Sequence, residues 1–237
     1  MRLAIIPARG GSKRIPRKNV RNFCGAPMIA WSIKTALESG LFDHVIVSTE
    51  DDEIARCAIN CGAEVPFRRP HDLADDFTPT RDVINHAIRE FSALAGQPTQ
   101  VCSIYATAPF LISSDLLAAL ELLQQSDANF VFAAAEYPFP IQRAFRRQLD
   151  GTLAMFQPEH RLTRSQDLEP AFHDAGQFYW GTAQAFLDRV PMFEGRSLPF
   201  LLPRRRVIDI DTPEDWELAE LMWQASQHLA EAHEVAA

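Results

Sequence analysis

The sequence predicts an α/β protein: a single doubly wound, mostly parallel Rossmann-like sheet with an arm inserted in its second half. Three observations carry this expectation. Residues 1–136 alternate short apolar runs with amphipathic stretches of helical period, the βαβ signature of a parallel sheet. A basic, glycine-containing segment, IPARGGSKRIPRKN, directly follows the first apolar run, where such sheets place ligand-holding loops. The length of 237 residues, with 47% hydrophobic and 23% charged, suits one large α/β domain that buries its own core.

The elements follow in order. A strand is expected near Arg2 to Ala8, a helix near Met28 to Ser39, a strand at His44 to Thr49 and a helix at Asp51 to Asn60, each from its apolar period. A helix from about Arg81 to Ala95, a strand at Val101 to Ala106, a helix at Ser114 to Gln125 and a strand at Phe130 to Glu136 continue the alternation. From Tyr137 to His173 the pattern turns irregular and polar, with Pro138, Pro140, Pro158 and Pro170 and an Asp150-Gly151 pair that signals a hairpin. Nearly 40 residues is too long for an ordinary loop, so residues 137–173 read as a lid or as an arm that packs on another subunit. Tyr137, Phe139, Phe145 and Phe156 argue against a disordered excursion. The sheet is expected to resume at Gly176 to Trp180 and at Val207 to Ile210. A helix from Pro213 to about Ala232 closes the chain, with Thr212 as N-cap, Pro213 at the first position and Asp215 completing a capping box.

Composition excludes several classes. No run approaches 18 apolar residues, so no membrane span is expected. The strand-like LAIIPA followed at once by charges does not fit a signal peptide, and the expectation is a cytoplasmic protein. Cys24, Cys57, Cys61 and Cys102 form no CxxC pair and no zinc spacing, and read as reduced thiols. The net charge of −8 argues against a nucleic-acid binder. Arg204-Arg205-Arg206 before a strand reads as a solvated edge or a carboxylate clamp more readily than as a nucleic-acid patch. The charge is nevertheless lopsided: no acid precedes Glu38, whereas Arg2, Arg9, Lys13, Arg14, Arg17, Lys18, Arg21 and Lys34 all do. A cationic site in an anionic protein suits a small anionic ligand.

In the opening loop, Gly10 and Gly11 are expected to turn the backbone with positive φ and to expose successive N–H groups to an anion. Arg9, Lys13, Arg14, Arg17 and Lys18 add cations, and Pro16 stiffens the return. Two of only 3 lysines in the chain fall here. The loop is neither GxGxxG nor GxxxxGK[ST], so it is not a dinucleotide fingerprint or a Walker A loop; it reads as a polyphosphate cradle. Far along the chain, Asp209 and Asp211 are two apart on an expected strand, which would face both carboxylates one way with α-carbons about 6.5 Å apart. With a phosphate cradle present, they read as a Mg²⁺ site bridging substrate phosphates; the alternative is a helix-capping Asp plus a solvated one.

With these blocks in view, the sequence resembles the CMP-sialic acid synthetase (acylneuraminate cytidylyltransferase) family, which couples CTP to nine-carbon α-keto acid sugars. The likeness runs through IPARGGSKRIPRKN, VSTEDDEIA, FRRPHDLADD, IYATAPF, TRSQDLE, HDAGQFYWG and RVIDIDTPEDW. The last three blocks look most like the branch acting on pseudaminic acid. The resemblance implies a nucleotide-diphospho-sugar transferase sheet over residues 1–237, Mg²⁺ as cofactor, CTP and a nonulosonic acid sugar as substrates, and a homodimer. It implies that Arg9 and Lys18 hold the triphosphate and that Ala8, Gly10, Gly11, Ser12, Asn19, Arg69 and Thr80 surround the nucleotide. Asp209 and Asp211 would hold the metal, with Asp211 lowering the pKa of the attacking hydroxyl. The sugar would meet Tyr105, His173 and Gln177, and Gln142 and Arg143 would lie near a partner's sugar site. By spacing alone, His173 is more often structural.

Tyr105-Ala106-Thr107-Ala108-Pro109 stands where sialic acid synthetases of the family read Gln-Pro-Thr-Ser-Pro, which favours a sugar with more apolar decoration. N-acetylneuraminic and legionaminic acids are the alternative substrates, and the ketodeoxyoctonate branch fits less well because its opening loop lacks the RKN ending. A non-catalytic nucleotide-binding module would need the loop but not the carboxylates.

Overall fold

The computed structural model describes residues 1–235, with side chains described through residue 228. Strand β1 (Arg2–Pro7) leads through two short strands, β2 (Asn22–Phe23) and β3 (Ala26–Pro27), into α1 (Met28–Glu38). Next come β4 (His44–Ser48), α2 (Asp52–Asn60), α3 (Thr80–Ala95), β5 (Gln100–Ile104), α4 (Ser113–Gln124) and β6 (Phe130–Glu136). A small hairpin, β7 (Phe145–Arg147) and β8 (Leu153–Met155), precedes β9 (Phe172–Thr182), α5 (Ala183–Leu187), β10 (Ser197–Leu201) and α6 (Pro213–Val235). Among the described residues no helix is long and apolar enough to cross a membrane.

The central sheet has the order β10-β6-β9-β5-β1-β4. All neighbours are parallel except β9, which runs antiparallel to both β5 and β6. Both faces are covered, and β1 shows how. Its alternate residues Ala4 and Ile6 pack with Ile33 of α1 and Leu116 of α4, while Leu3 and Ile5 pack with Ile84, Ile88 and Phe91 of α3. A strand buried on both sides must be apolar throughout, which is why LAII carries no polar alternation. Each such side chain contributes roughly 1.5–3 kcal/mol when fully buried. The chain leaves β1 for β4 on one side and returns to β5 on the other, so the carboxyl ends of β1 and β5 open a crevice at the switch point.

A third cluster anchors the opening loop. Ile15, Phe23 and Met28 pack with Ile210, Trp216 and Ala219, bringing the return of that loop onto the start of α6. Phe23 meets Trp216 edge to face at 5.4 Å, and the Arg21 guanidinium lies 4.7 Å over the same indole. The expected capping box is present: the Asp215 N–H donates to Thr212 Oγ1 at 3.2 Å and the Thr212 N–H to Asp215 Oδ2 at 2.7 Å.

Three features depart from expectation. Val207 to Ile210 is not a strand; its place at the sheet edge is taken by β10, which pairs with β6. The carbonyl at its end and the one just before it are met by side chains instead, Lys18 Nζ on Ile210 O and Gln177 Nε2 on Arg206 O. The sequence hides β10 because Pro199 sits in its middle, a residue tolerated only where one side of a strand needs no donor. Finally, the insertion ends earlier than residue 173. Phe172 and His173 already pair with Glu136 and Ala135 as the start of β9, and the Tyr137 N–H donates to Ala171 O to close the base of the arm. The hairpin expected at Asp150-Gly151 forms, with Gly151 at φ 86°.

Candidate active site

The crevice is a cavity of about 670 Å³. Its wall brings together Arg9, Ser12, Lys18 and Asn19 from the opening loop, Arg69 before α3 and Thr80 at its start, Tyr105 after β5, and Asp209 and Asp211 before α6. Residues nearly 200 positions apart meet here: Lys18 Nζ stands 3.2 Å from Asp211 Oδ1 and donates to Ile210 O at 2.7 Å. Ala8, Gly10 and Gly11 belong to the same loop but do not line the cavity; Ala8 is buried, with its N–H on Ser48 O at 3.0 Å.

The two glycines do not adopt the positive φ expected of them; in this loop Arg17 does, at φ 58°. Gly10 is required for a different reason. A Cβ there would stand 2.5 Å from Asp51 Oδ2, so a side chain fits only if that carboxylate or the loop moves, whereas a Cβ on Gly11 would meet nothing within 4 Å. The Gly10 N–H is also committed, to Glu50 Oε1 at 2.7 Å. Arg17 is drawn out of the cradle: it makes a two-pronged contact with Asp51 at 2.7 and 2.9 Å and reaches Glu53 as well. Asp51 in turn caps α2 through the N–H groups of Glu53 and Ile54. These donors, the guanidinium foremost, hold the Asp51 carboxyl far below the ordinary carboxylate range.

The remaining cations are paired with acids across the cavity. Arg9 donates to Asp75 O at 2.6 Å and meets Asp76 at 2.8 Å; Lys13 meets Asp76 too, and Arg14 meets Asp211 at 2.6 Å. Lys13, first among these, lowers the Asp76 carboxyl. Asn19 is buried and its amide donates to Arg9 O at 2.9 Å, setting the height of Arg9.

Asp209 and Asp211 share the cavity without sharing a strand, so their proximity comes from the turn into α6 and not from the period of a ladder. Among the described residues the Asp209 carboxylate accepts no hydrogen bond. The loss of water around it in the cavity, and then the charge of Asp211, raise it above the ordinary range, with Lys18 opposing. With Asp211 beside it, this carboxylate could serve as one of two hard oxygen donors for a divalent cation if Arg14 and Lys18 released Asp211.

Tyr105 forms an aromatic wall. Its ring lies 5.6 Å from that of Tyr179, whose hydroxyl donates to Asp174 Oδ2 at 2.5 Å, and burial raises both phenols. Gln177 is not in the wall. It is 3% exposed, its amide donating to Arg206 O at 2.5 Å, while Arg206 clamps Asp115 at the start of α4. The carboxylate-clamp expectation for the triple arginine is thus met by Arg206, and Gln177 steadies the segment that carries Asp209. His173, Gln142 and Arg143 lie outside the cavity, in and beside the arm. His173 stacks obliquely on Tyr137 at 4.9 Å, Gln142 donates to Glu169 O at 2.8 Å, and Arg143 reaches Ser165 Oγ at 3.3 Å.

Sequence reasoning missed Glu50, Asp75 and Asp76. The signal that could have found them is the acidic run Glu50 to Glu53 directly after β4, and the Asp75-Asp76 pair after it, at the carboxyl side of the sheet opposite a loop rich in cations.

Comparison with known proteins places this geometry among relatives. A family model described as cytidylyltransferase matches residues 3–224. A pseudaminic acid cytidylyltransferase of Campylobacter jejuni is 45% identical over 228 residues, 96% of this chain and 98% of that one. A CMP-N,N'-diacetyllegionaminic acid synthase of Legionella pneumophila is 33% identical, covering 95% and 97%. The fold is shared with a solved CMP:2-keto-3-deoxy-manno-octonic acid synthetase complexed with CTP, at TM-score 0.68 and 15% identity over 95% of this chain and 99% of that one.

Proposed function

The chain belongs to the cytidylyltransferase family, and from that premise we propose that it transfers CMP from CTP to the anomeric hydroxyl of pseudaminic acid, releasing pyrophosphate. The observation that carries the reading is the meeting, in one cavity, of the opening cationic loop with the Asp209–Asp211 pair. A loop alone would bind an anion; a loop facing two hard carboxylates is arranged for phosphoryl chemistry. The full-length likeness to a pseudaminic acid cytidylyltransferase supports the choice of sugar.

In this mechanism the sugar hydroxyl attacks the α-phosphorus in line. The new bond is sugar oxygen to α-phosphorus, the broken ones are the sugar O–H and the bond from α-phosphorus to its bridging oxygen, and pyrophosphate departs with that electron pair while the proton passes to water. Arg9 and Lys18 exchange their contacts with Asp76, Asp75 O and Asp211 for the phosphates and stabilise the charge that develops on them. Arg69 and Thr80 line the end that takes the base, and Tyr105 walls the sugar side. Asp209 and Asp211 would hold Mg²⁺, which when bound neutralises phosphate charge and lowers the pKa of the attacking hydroxyl.

The arm, with Phe139, Phe145 and Phe156 exposed, packs on a second copy in this reading and brings Gln142 and Arg143 toward the partner's sugar. CTP as substrate and four free thiols support a reducing, cytoplasmic location.

The test is incubation with CTP, Mg²⁺ and equal concentrations of pseudaminic, legionaminic and N-acetylneuraminic acids, following pyrophosphate release. Preferential consumption of pseudaminic acid is expected. Preference for N-acetylneuraminic acid would overturn the sugar assignment, and no pyrophosphate with any sugar would overturn the activity.

A further inference from the structure

Two residues after the end of β4, Glu50 has a side chain only 10% exposed and uses its two oxygens for two different partners. Oε1 accepts the Gly10 N–H at 2.7 Å, and Oε2 accepts from Arg69 Nη2 at 2.6 Å. Gly10 is next to Arg9 in the phosphate loop, whereas Arg69 forms part of the cavity wall near Thr80. One carboxylate therefore ties the loop that carries Arg9 to the part of the cavity wall that carries Arg69.

Arg69 is itself 4% exposed, and its backbone N–H donates to Thr49 O at 3.0 Å. Its Nε is buried and has no hydrogen-bond partner. A buried donor left unpaired is unfavourable until something accepts from it. Arg69 lines the cavity, so a base that enters there meets its guanidinium, and a cytosine offers adjacent acceptors at O2 and N3. Uracil presents an N–H at the second of these positions, so a guanidinium held in one orientation favours cytosine, and a loosely held one discriminates less. An arginine fork is directional only when its carboxylate partner pins it.

We propose that Glu50 is a positioning residue for the nucleotide: by pinning Arg69 and the phosphate loop to one carboxylate, it sets both CTP affinity and the choice between CTP and UTP. Glu50 touches neither substrate; it acts through Arg69 and Gly10. The proposal rests on the CTP reading given above.

Calorimetric titration of CTP and of UTP, with Mg²⁺ and without sugar, tests it on the wild type, Glu50→Gln, Glu50→Asp, Arg69→Lys and the double variant Glu50→Gln/Arg69→Lys. Urea midpoints are measured in parallel. The wild type should bind CTP at least about tenfold more tightly than UTP, the scale of one misplaced polar contact in a closed site. Glu50→Gln should weaken CTP by at least about tenfold and narrow the CTP/UTP ratio. The double variant should narrow that ratio no further than Arg69→Lys alone, because Glu50 works through Arg69. A merely structural residue would lower the urea midpoint while leaving the ratio intact, and that result overturns the proposal. So does a Glu50→Gln protein that binds CTP within about twofold of wild type, or a double variant whose loss of discrimination is the product of the two single losses.

Should Glu50→Gln fail to fold, Glu50→Asp decides by the same criteria, since it keeps the buried charge but is too short to span both partners. A wild type that does not prefer CTP overturns the activity reading together with this one, an outcome distinct from a normal wild type with an indifferent Glu50 variant.

Discussion

Gly10→Ala should damage both stability and nucleotide binding, while Gly11→Ala next to it should do little. The added methyl at position 10 would stand 2.5 Å from Asp51 Oδ2 and 3.1 Å from its Cγ, against 3.4–4 Å for ordinary contact. Something must therefore move by about 1 Å. The Asp51 carboxylate is held by the N–H groups of Glu53 and Ile54 and by two nitrogens of Arg17, at 2.7–3.0 Å. If it yields, the helix cap weakens by about 1 kcal/mol, and the loosened Arg17 contact adds roughly 1 more after allowing for solvent at that partly exposed guanidinium. If instead the loop recedes, Glu50 loses the Gly10 N–H, again about 1–3 kcal/mol for a buried charged acceptor left short of a donor. Either route predicts a loss of about 2 kcal/mol, together with a KM for CTP raised by about tenfold or more because Arg9 is displaced with the loop. Gly11 has nothing within 4 Å and no positive φ, so its alanine variant should stay within about 0.5 kcal/mol of wild type. Urea unfolding followed by tryptophan fluorescence and steady-state kinetics read both. A Gly10→Ala protein with unaltered midpoint and KM, or a Gly11→Ala protein equally damaged, would refute the claim that contact with Asp51 is what demands glycine.

Lys18→Ala removes a cation whose side chain is only 16% exposed and which pairs with Asp211 in the cavity; kcat/KM for CTP should fall by about a hundredfold or more, and a change confined to sugar KM would contradict the cradle. Asp76→Asn frees Arg9 and Lys13 from a carboxylate that competes with phosphate, so CTP affinity should rise a few-fold at low salt and converge on wild type at high salt; weaker binding would show that Asp76 supports the bound state instead. Asp51 is depressed when folded, so its charge stabilises above the unfolded value of about 4 and that benefit disappears as pH falls through the folded value. The stability gap between wild type and Asp51→Asn should hold steady from about pH 5 to 8 and shrink below about pH 4; a gap that widens on acidification would reverse the sign. Light scattering after gel filtration should give a dimer that becomes monomeric when Phe139 and Phe156, both exposed on the arm, are replaced together by serine, with catalysis lost; a fully active wild-type monomer at micromolar concentration would remove the arm from the site.

The parts of this molecule legible in its sequence are those whose physics is local. The buried strands β1, β4, β5 and β6 were readable because burial on two faces leaves no polar alternation, and the start of α6 because a capping box spans four residues. Asp209 and Asp211 could be singled out by spacing, although the strand invoked to align them does not exist; the cap and the bond from Lys18 to Ile210 O place them instead. β10 stayed hidden because Pro199 reads as a strand breaker unless the edge position is known. The acidic run after β4 marks Glu50 as a candidate, but its role was not legible, since that lies in partners 40 and 19 residues away.

The same distinction governs the charge pattern. An opening segment without a single acid before Glu38 suggests a bare cationic patch, yet in the folded chain Arg9, Lys13, Arg14, Arg17 and Lys18 each meet a carboxylate supplied from residues 51–76 or from Asp211. A bare cluster of like charges would splay and would bind any polyanion. A cluster held apart by acids is kept open at a fixed spacing, and a ligand must exchange those acids for its own oxygens one by one. An anion with several phosphate oxygens at matching separations makes that exchange favourable, and in the reading proposed above this is how a protein of net charge −8 selects a triphosphate over nucleic acid.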